Sequence, residues 1–332
     1  MNALASGSPA SAGNAFSPWQ QRAYEQAVAA LEAGRLGHGL LVCGPAGLGK
    51  RALVDRLALR VLCGGEPAPG DRNAQLIAAG THPDLRVISF VPTKAGDKLR
   101  TEIVIDQIRE LSQQLALTPQ YGQAQVAIVD PADAVNRAAW NALLKTLEEP
   151  APGRYLWLLS AEPMRLPATI RSRCQRLEFK LPPRAEALAW LRERGWPDKS
   201  AAEALDAARG HPGLADEWLR GEGLALRRQV ADDLDKLERG QGAPVEVAQR
   251  WAADEHAGLR LRHAADLALA RAAGLTDLAA MDKLAAWFDH ANRTRDLLRT
   301  TVRGDLAMAE LLLAWRGVGR AAAQTGERGG KA

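Results

Sequence analysis

The sequence predicts an α/β module built on a parallel sheet, followed by a small helical domain and an all-α C-terminal domain. Three observations carry that expectation. Short apolar runs alternate with helical segments as far as residue 180, the pattern of buried parallel strands covered by helices. Beyond Leu181-Pro182-Pro183 the apolar runs cease and helix follows helix. A glycine-rich loop of phosphate-binding type joins the first run to the first long helical pattern after it, which is where such a module places it.

In chain order, residues 1–15 are small and polar and read as a frayed terminus, with no apolar stretch of the kind a signal peptide needs. Strands are expected at GLLVCG (39–44), DLRVISF (84–90), QVAIVD (125–130), YLWLLSA (155–161) and RLEFK (176–180). The first four are near-continuous in apolar character, as strands buried on both faces must be. Between them lie helical patterns at 51–62, 105–117 and 136–149. In the last, Trp140, Leu143, Leu144 and Leu147 recur at helical spacing, which predicts one buried face.

The module therefore spans 16–180. Gly-Pro interruptions divide the rest into a helical lid domain at 181–222 and a helical collar domain at 223–325, with a Gly-rich tail at 326–332. Six of the nine tryptophans (Trp190, Trp196, Trp218, Trp251, Trp287, Trp315) fall in the helical part, where core packing is the expected use and a subunit interface the alternative.

Composition narrows the function classes. With 47% apolar and 25% charged residues, the chain is neither fibrous nor wholly disordered. A net charge of +4 without a long basic tract is a poor match to a freestanding DNA-binding protein, which would bind with steep salt dependence. No segment approaches a membrane span, so a cytoplasmic location without membrane partners is expected. Cys43, Cys63 and Cys174 are odd in number and far apart, the usage of free thiols in a reducing compartment.

The candidate site begins at Gly44-Pro45-Ala46-Gly47-Leu48-Gly49-Lys50. Gly44, Gly47 and Gly49 would let backbone N–H groups close around phosphate oxygens, and Lys50 would reach the β and γ phosphates. The hydroxyl that should follow the lysine and hold Mg²⁺ is missing, because position 51 is arginine. At the end of the third apolar run Asp130 is present, but its neighbour is Pro131, which has no group to activate water. Two defects in one site predict no useful ATP hydrolysis by this chain alone. Nucleotide binding stays open, because the glycines and Lys50 survive.

The string Asn141-Ala142-Leu143-Leu144-Lys145-Thr146-Leu147-Glu148-Glu149-Pro150, with Thr81-His82-Pro83-Asp84 before it and Ser172-Arg173-Cys174 after it, resembles the bacterial clamp-loader ATPases. By motif the resemblance covers residues 18 to 220. It implies an AAA+ fold and a place in the clamp loader of DNA polymerase III, which sets the sliding clamp on primed DNA. Membership of a DNA-directed DNA polymerase, a nucleotidyltransferase, would follow by association without polymerase chemistry in this chain.

Within the family Arg51, Pro131 and Gly213, the last standing where an active subunit has a phosphate-sensing arginine, favour a catalytically silent subunit. So does the end of the chain at 332, without the long extension of tau. The alternative is an active gamma/tau-like ATPase subunit. The implied partners are the gamma/tau and delta subunits.

The same resemblance makes Arg173 an arginine finger, supplied in trans to a gamma/tau neighbour's ATP, with Arg171 its competitor. A planar, permanently charged guanidinium suits the charge that develops on a γ-phosphoryl group. Many relatives carry a four-cysteine zinc module after the first helix; here only Cys63 remains, so no zinc site is expected. Cys174 is expected to be a buried filler.

Overall fold

The computed structural model describes residues 16–93, 99–122, 124–298 and 302–328, with side chains as far as 316. The expected frayed segment 1–15 and residues 329–332 of the expected tail lie outside the described residues. By internal contacts the chain forms two units, 1–195 with 210–214 and 196–209 with 215–332. Residues of the expected lid are thus shared between them.

The first unit is built on five parallel strands: β1 (Gly39–Cys43), β2 (Leu85–Ile88), β3 (Gln125–Val129), β4 (Arg154–Ser160) and β5 (Gln175–Glu178), in the spatial order β2-β3-β4-β1-β5. Every residue of β1 and β3 is buried, as their unbroken apolar runs require. β2 and β5 are edge strands, and Val87 in β2 is 40% exposed. The apolar run at 84–90 marks an edge and not a central strand.

The helices are α1 (Pro18–Glu32), α2 (Lys50–Cys63), α3 (Arg72–Ala78), α4 (Ile105–Leu115), α5 (Arg137–Glu148), α6 (Ala168–Arg171) and α7 (Arg184–Glu193). They cover the sheet on both faces. Trp19, Leu53, Leu57 and Leu62 join Leu40, Val42, Ile128 and Trp157 in one core. Ile108, Leu111, Trp140, Leu143 and Leu147 join Leu41, Ala127, Val129 and Leu158 in the other. Alternate residues of one strand point to opposite faces, so β1 contributes to both cores. Each fully buried leucine there contributes roughly 1.5–3 kcal/mol. α5 starts where Asn136 accepts a hydrogen bond from Ala139 N at 3.0 Å, which satisfies a donor the helix itself leaves open.

The second unit is helical: α8 (Asp198–Ala207), α9 (Pro212–Arg220, whose first turn belongs to the first unit), α10 (Gly223–Glu238), α11 (Pro244–Ala253), α12 (Ala257–Ala273), α13 (Leu278–Leu297) and α14 (Gly304–Arg328). Its core holds Trp251, Trp287 and Trp315, whose indole N–H groups donate to Asp233 Oδ2, Leu311 O and Leu234 O at 2.8, 2.9 and 3.0 Å. A buried indole needs such an acceptor, and these three rings serve packing, as expected. Residues 326–328 of the expected tail are the last of α14. No helix among the described residues is long and apolar enough to cross a membrane.

Candidate functional site

The chain leaves β1 at Cys43, turns through the glycine-rich loop and enters α2 at Lys50. Gly44, Gly47 and Gly49 have φ of 138°, 80° and 83°, in the region that favours glycine. The loop carbonyls are engaged from several sides. Lys50 Nζ donates to Gly44 O at 2.6 Å and Pro45 O at 2.8 Å, Trp19 Nε1 to Leu48 O at 3.0 Å, and Gln20 Nε2 to Gly49 O at 3.1 Å. His211 Nε2 lies 2.6 Å from Ala46 O. Among the described residues the N–H groups of Ala46 to Gly49 make no backbone hydrogen bond. The loop thus retains the donors that a phosphate would accept from, at the start of a helix whose dipole favours an anion. Burial lowers the pKa of Lys50, and Asp133 and Asp130 oppose that effect.

Arg51, where a metal-binding hydroxyl was missing from the sequence pattern, occupies the acidic side of the loop. Its Nε donates to Asp55 Oδ1 at 2.7 Å and its Nη1 to Asp130 Oδ2 at 3.3 Å. Burial opposes its charge, but the two carboxylates outweigh it and raise its pKa. The carboxylate at the end of β3 is therefore already neutralised by a permanent cation of the same chain. Pro131 follows it through a cis peptide bond and adds no carboxylate. Asp133 instead accepts from Ser160 Oγ at 2.5 Å and Ala161 N at 2.7 Å, closing the end of β4.

Gly213 lies against the loop. A Cβ there would fall 2.0 Å from Gly47 O, so no other residue fits without moving the loop.

Arg173 is not part of this cluster. It precedes β5, and its carbonyl oxygen would lie 3.3 Å from a Cβ on Gly39, the first residue of β1. The loop begins after the last residue of β1, four steps of about 3.3 Å further on, or roughly 13 Å along the strand. Arg173 is held by Glu148 Oε1 at 2.7 Å and Thr169 O at 2.9 Å, with 36% of its side chain exposed. Arg171 is turned differently, with Nη1 on Met164 Sδ at 2.8 Å and its Nε buried without a partner. Cys174 is 8% exposed, and burial pushes its thiol up to about 11; it is a core filler.

Sequence reasoning missed Trp19, Gln20, His211 and Asp133. Gln20 left one signal: Ser17-Pro18-Trp19-Gln20 is a capping-box pattern, and Gln20 Oε1 does accept from Ser17 N at 2.9 Å. In the Thr-His-Pro-Asp string, His82 Nδ1 accepts from Asp84 N at 3.1 Å. Asp84 is 2% exposed and accepts from Gln120 N and Tyr121 N at 2.9 and 2.8 Å, fixing the approach to β3. No group of three or more potential metal ligands occurs among the described residues, and Cys63 Sγ contacts Asp71 Oδ1 at 3.5 Å.

Residues 19–183 match the model of the family described as DNA polymerase III, delta subunit. The chain is 40% identical over 243 residues to the DNA polymerase III subunit delta' of Pseudomonas aeruginosa, an alignment covering 70% of each chain. It is 36% identical over 222 residues to the subunit of the same name from Escherichia coli, covering 65% of each. Among solved structures, a gamma subunit-related protein of DNA polymerase III from Thermotoga maritima aligns with 90% of this chain and 99% of its own. The TM-score is 0.48 and the identity 17%.

Proposed function

Since the chain belongs to the family of DNA polymerase III delta' subunits, we propose that it is a non-hydrolysing AAA+ subunit of the clamp loader. In this reading it assists ATP-driven loading of the sliding clamp onto primed DNA, and gamma/tau and delta are its partners. Its own loop would bind phosphate without turning ATP over, and Arg173 would act as an arginine finger for a gamma/tau neighbour. The module at 16–180 would carry the loop and the finger, residues 181–222 the lid, and the helices at 223–325 the collar that joins the subunits.

The observation that carries the proposal is the Arg51–Asp130 ion pair at 3.3 Å. A Mg²⁺ ion assisting phosphoryl transfer needs a free carboxylate and usually a hydroxyl beside the loop. Here the hydroxyl is replaced by a guanidinium, and that guanidinium takes up the carboxylate. The placement of Arg173 supports the second half. Roughly 13 Å of strand separates its backbone from the loop of its own chain, so a nucleotide within its reach belongs to another subunit. The guanidinium is half-exposed and held only by surface contacts, which a neighbour's phosphate can displace.

The test is a comparison of ATPase activity in the purified chain and in its mixture with gamma/tau and delta. The chain alone should show none above background, and the mixture should respond to clamp and primed DNA. Magnesium-dependent turnover by the chain alone, abolished by Lys50→Ala, would overturn the proposal in favour of an active ATPase.

A further inference from the structure

In the second unit, four arginines converge on one acid. Arg209, Arg227, Arg262 and Arg295 all act electrostatically on Asp266. Only Arg209 contacts it, at 2.8 Å. The other three are partly buried and form no ion pair among the described residues. Arg227 Nη1 is buried with no hydrogen-bond partner, and Arg262 lies 5.7 Å over the Trp218 ring. The remaining charged neighbours do not redress the balance. Glu217 acts on Arg262 from a distance, Arg260 is satisfied by Asp254 at 2.5 Å, and His263 is fully buried and held neutral by burial and by the arginines around it.

Two of these arginines, Arg262 and Arg295, line a cavity of about 570 Å³ together with Asp266, Asn292, Phe288 and Leu259 among others. Partly buried cations without a counter-ion are costly, and burial accordingly lowers the pKa of Arg227 and Arg262. A fold keeps several of them together when an anion completes the arrangement.

We propose that this cavity between α12 and α13 binds a small phosphorylated organic molecule, its phosphoryl group held by Arg262 and Arg295. A phosphoryl group suits the site better than a carboxylate. It carries about two charges and three acceptor oxygens against a surplus of three guanidinia, and guanidinium forks match its geometry. The cavity volume falls in the range of small-ligand sites, roughly 300–1,000 Å³, and exceeds what a lone phosphate fills. Phe288 and Leu259 supply an apolar wall for the organic part, and Asn292 an amide that donates and accepts. A nucleic-acid backbone would call for a long basic track, whereas this recess is lined by two arginines, Arg262 and Arg295, and one acid, Asp266. The site is independent of the glycine-rich loop, which lies in the other unit.

Calorimetric titration of the full chain carrying Lys50→Ala with ADP and with pyrophosphate tests this. The substitution takes the cation out of the loop and so weakens it as a competing phosphate site, and the arginine substitutions distinguish what binding is left. Both ligands should bind, ADP more tightly, and Arg262→Gln with Arg295→Gln should weaken binding at least tenfold. Should the double variant fail to fold, Arg295→Gln alone, which gives up no ring contact, carries the same expectation. A melting series adds a second readout. Pyrophosphate should raise the Tm of the Lys50→Ala chain, and Arg295→Gln should remove that increment. The proposal is overturned if neither ligand binds, if binding is unchanged in Arg295→Gln, or if only an oligonucleotide or an acidic peptide binds. Failure here leaves the ATPase comparison untouched, because the deciding substitutions, at Arg262 and Arg295, lie outside the loop and the readout is binding and not turnover.

Discussion

Replacing Arg173 by alanine removes the ion pair to Glu148 at 2.7 Å and the hydrogen bond to Thr169 O at 2.9 Å. Both charged side chains are substantially exposed, 36% and 48%, so water screens the pair and its contribution is roughly 0–1 kcal/mol. The first unit has about 200 residues, which at an unfolding entropy of about 2.1 cal/mol/K per residue turns 1 kcal/mol into a Tm shift of about 2 °C. A finger supplied in trans contributes on the order of 10³ or more in rate, about 4 kcal/mol or more at the transition state. The two roles therefore differ by a wide margin in what the substitution does.

The assay is DNA- and clamp-stimulated ATP hydrolysis by the loader reassembled with gamma/tau and delta, with assembly followed by gel filtration and stability by melting. We expect intact assembly and a Tm within about 2 °C of wild type. Turnover at the site that receives the finger should fall by about 10³, so that total turnover loses at least that site's share. Arg171→Ala, which gives up only the contact to Met164 Sδ, should leave turnover close to wild type. Unchanged turnover in Arg173→Ala, or a loss confined to Arg171→Ala, would refute the reasoning.

Arg51→Ser frees Asp130 and restores a metal-binding hydroxyl, yet position 131 remains proline; magnesium-dependent hydrolysis by that variant alone should stay at background, and measurable turnover would show that a second carboxylate is not needed. Asp84→Ala strands the N–H groups of Gln120 and Tyr121, a cost of about 2–4 kcal/mol that should lower the Tm of the first unit by roughly 5–10 °C; an unchanged melt would mean that water replaces the carboxylate. Cys63 has its thiol pushed up to about 11, chiefly by burial and then by Asp71. A raised thiol pKa keeps the reactive thiolate scarce, so alkylation by iodoacetamide at pH 8 should run about 10²-fold slower than for an ordinary cysteine and climb about tenfold per pH unit until near 11. A rate that levels off near pH 9 would contradict this.

Much of the fold was legible because its signals are local. The apolar runs of β1 and β3, the helical spacing of Trp140, Leu143 and Leu147, and the glycines ahead of Lys50 each lie within a few residues of one another. The backbone periods of two and 3.6 translate such spacing directly into a strand, a helix face or a turn. The missing hydroxyl at Arg51 and the missing carboxylate at Pro131 were legible for the same reason. The exposed edge character of β2 was not, because an apolar run does not state which of its faces a neighbour covers.

The amino-acid string by itself thus determined the element types, the chemistry present in the phosphate loop and the chemistry absent from it. Tertiary structure decided what those groups do to one another. Arg51 meets Asp130 across 79 positions of sequence and His211 meets Ala46 across 165. Arg173 stands at the opposite end of β1 from the loop because β5 pairs in parallel with β1 at the sheet edge. Strand order is settled by which faces pack together once the whole chain has collapsed, and that is a property of contacts distant in sequence, which no local spacing encodes.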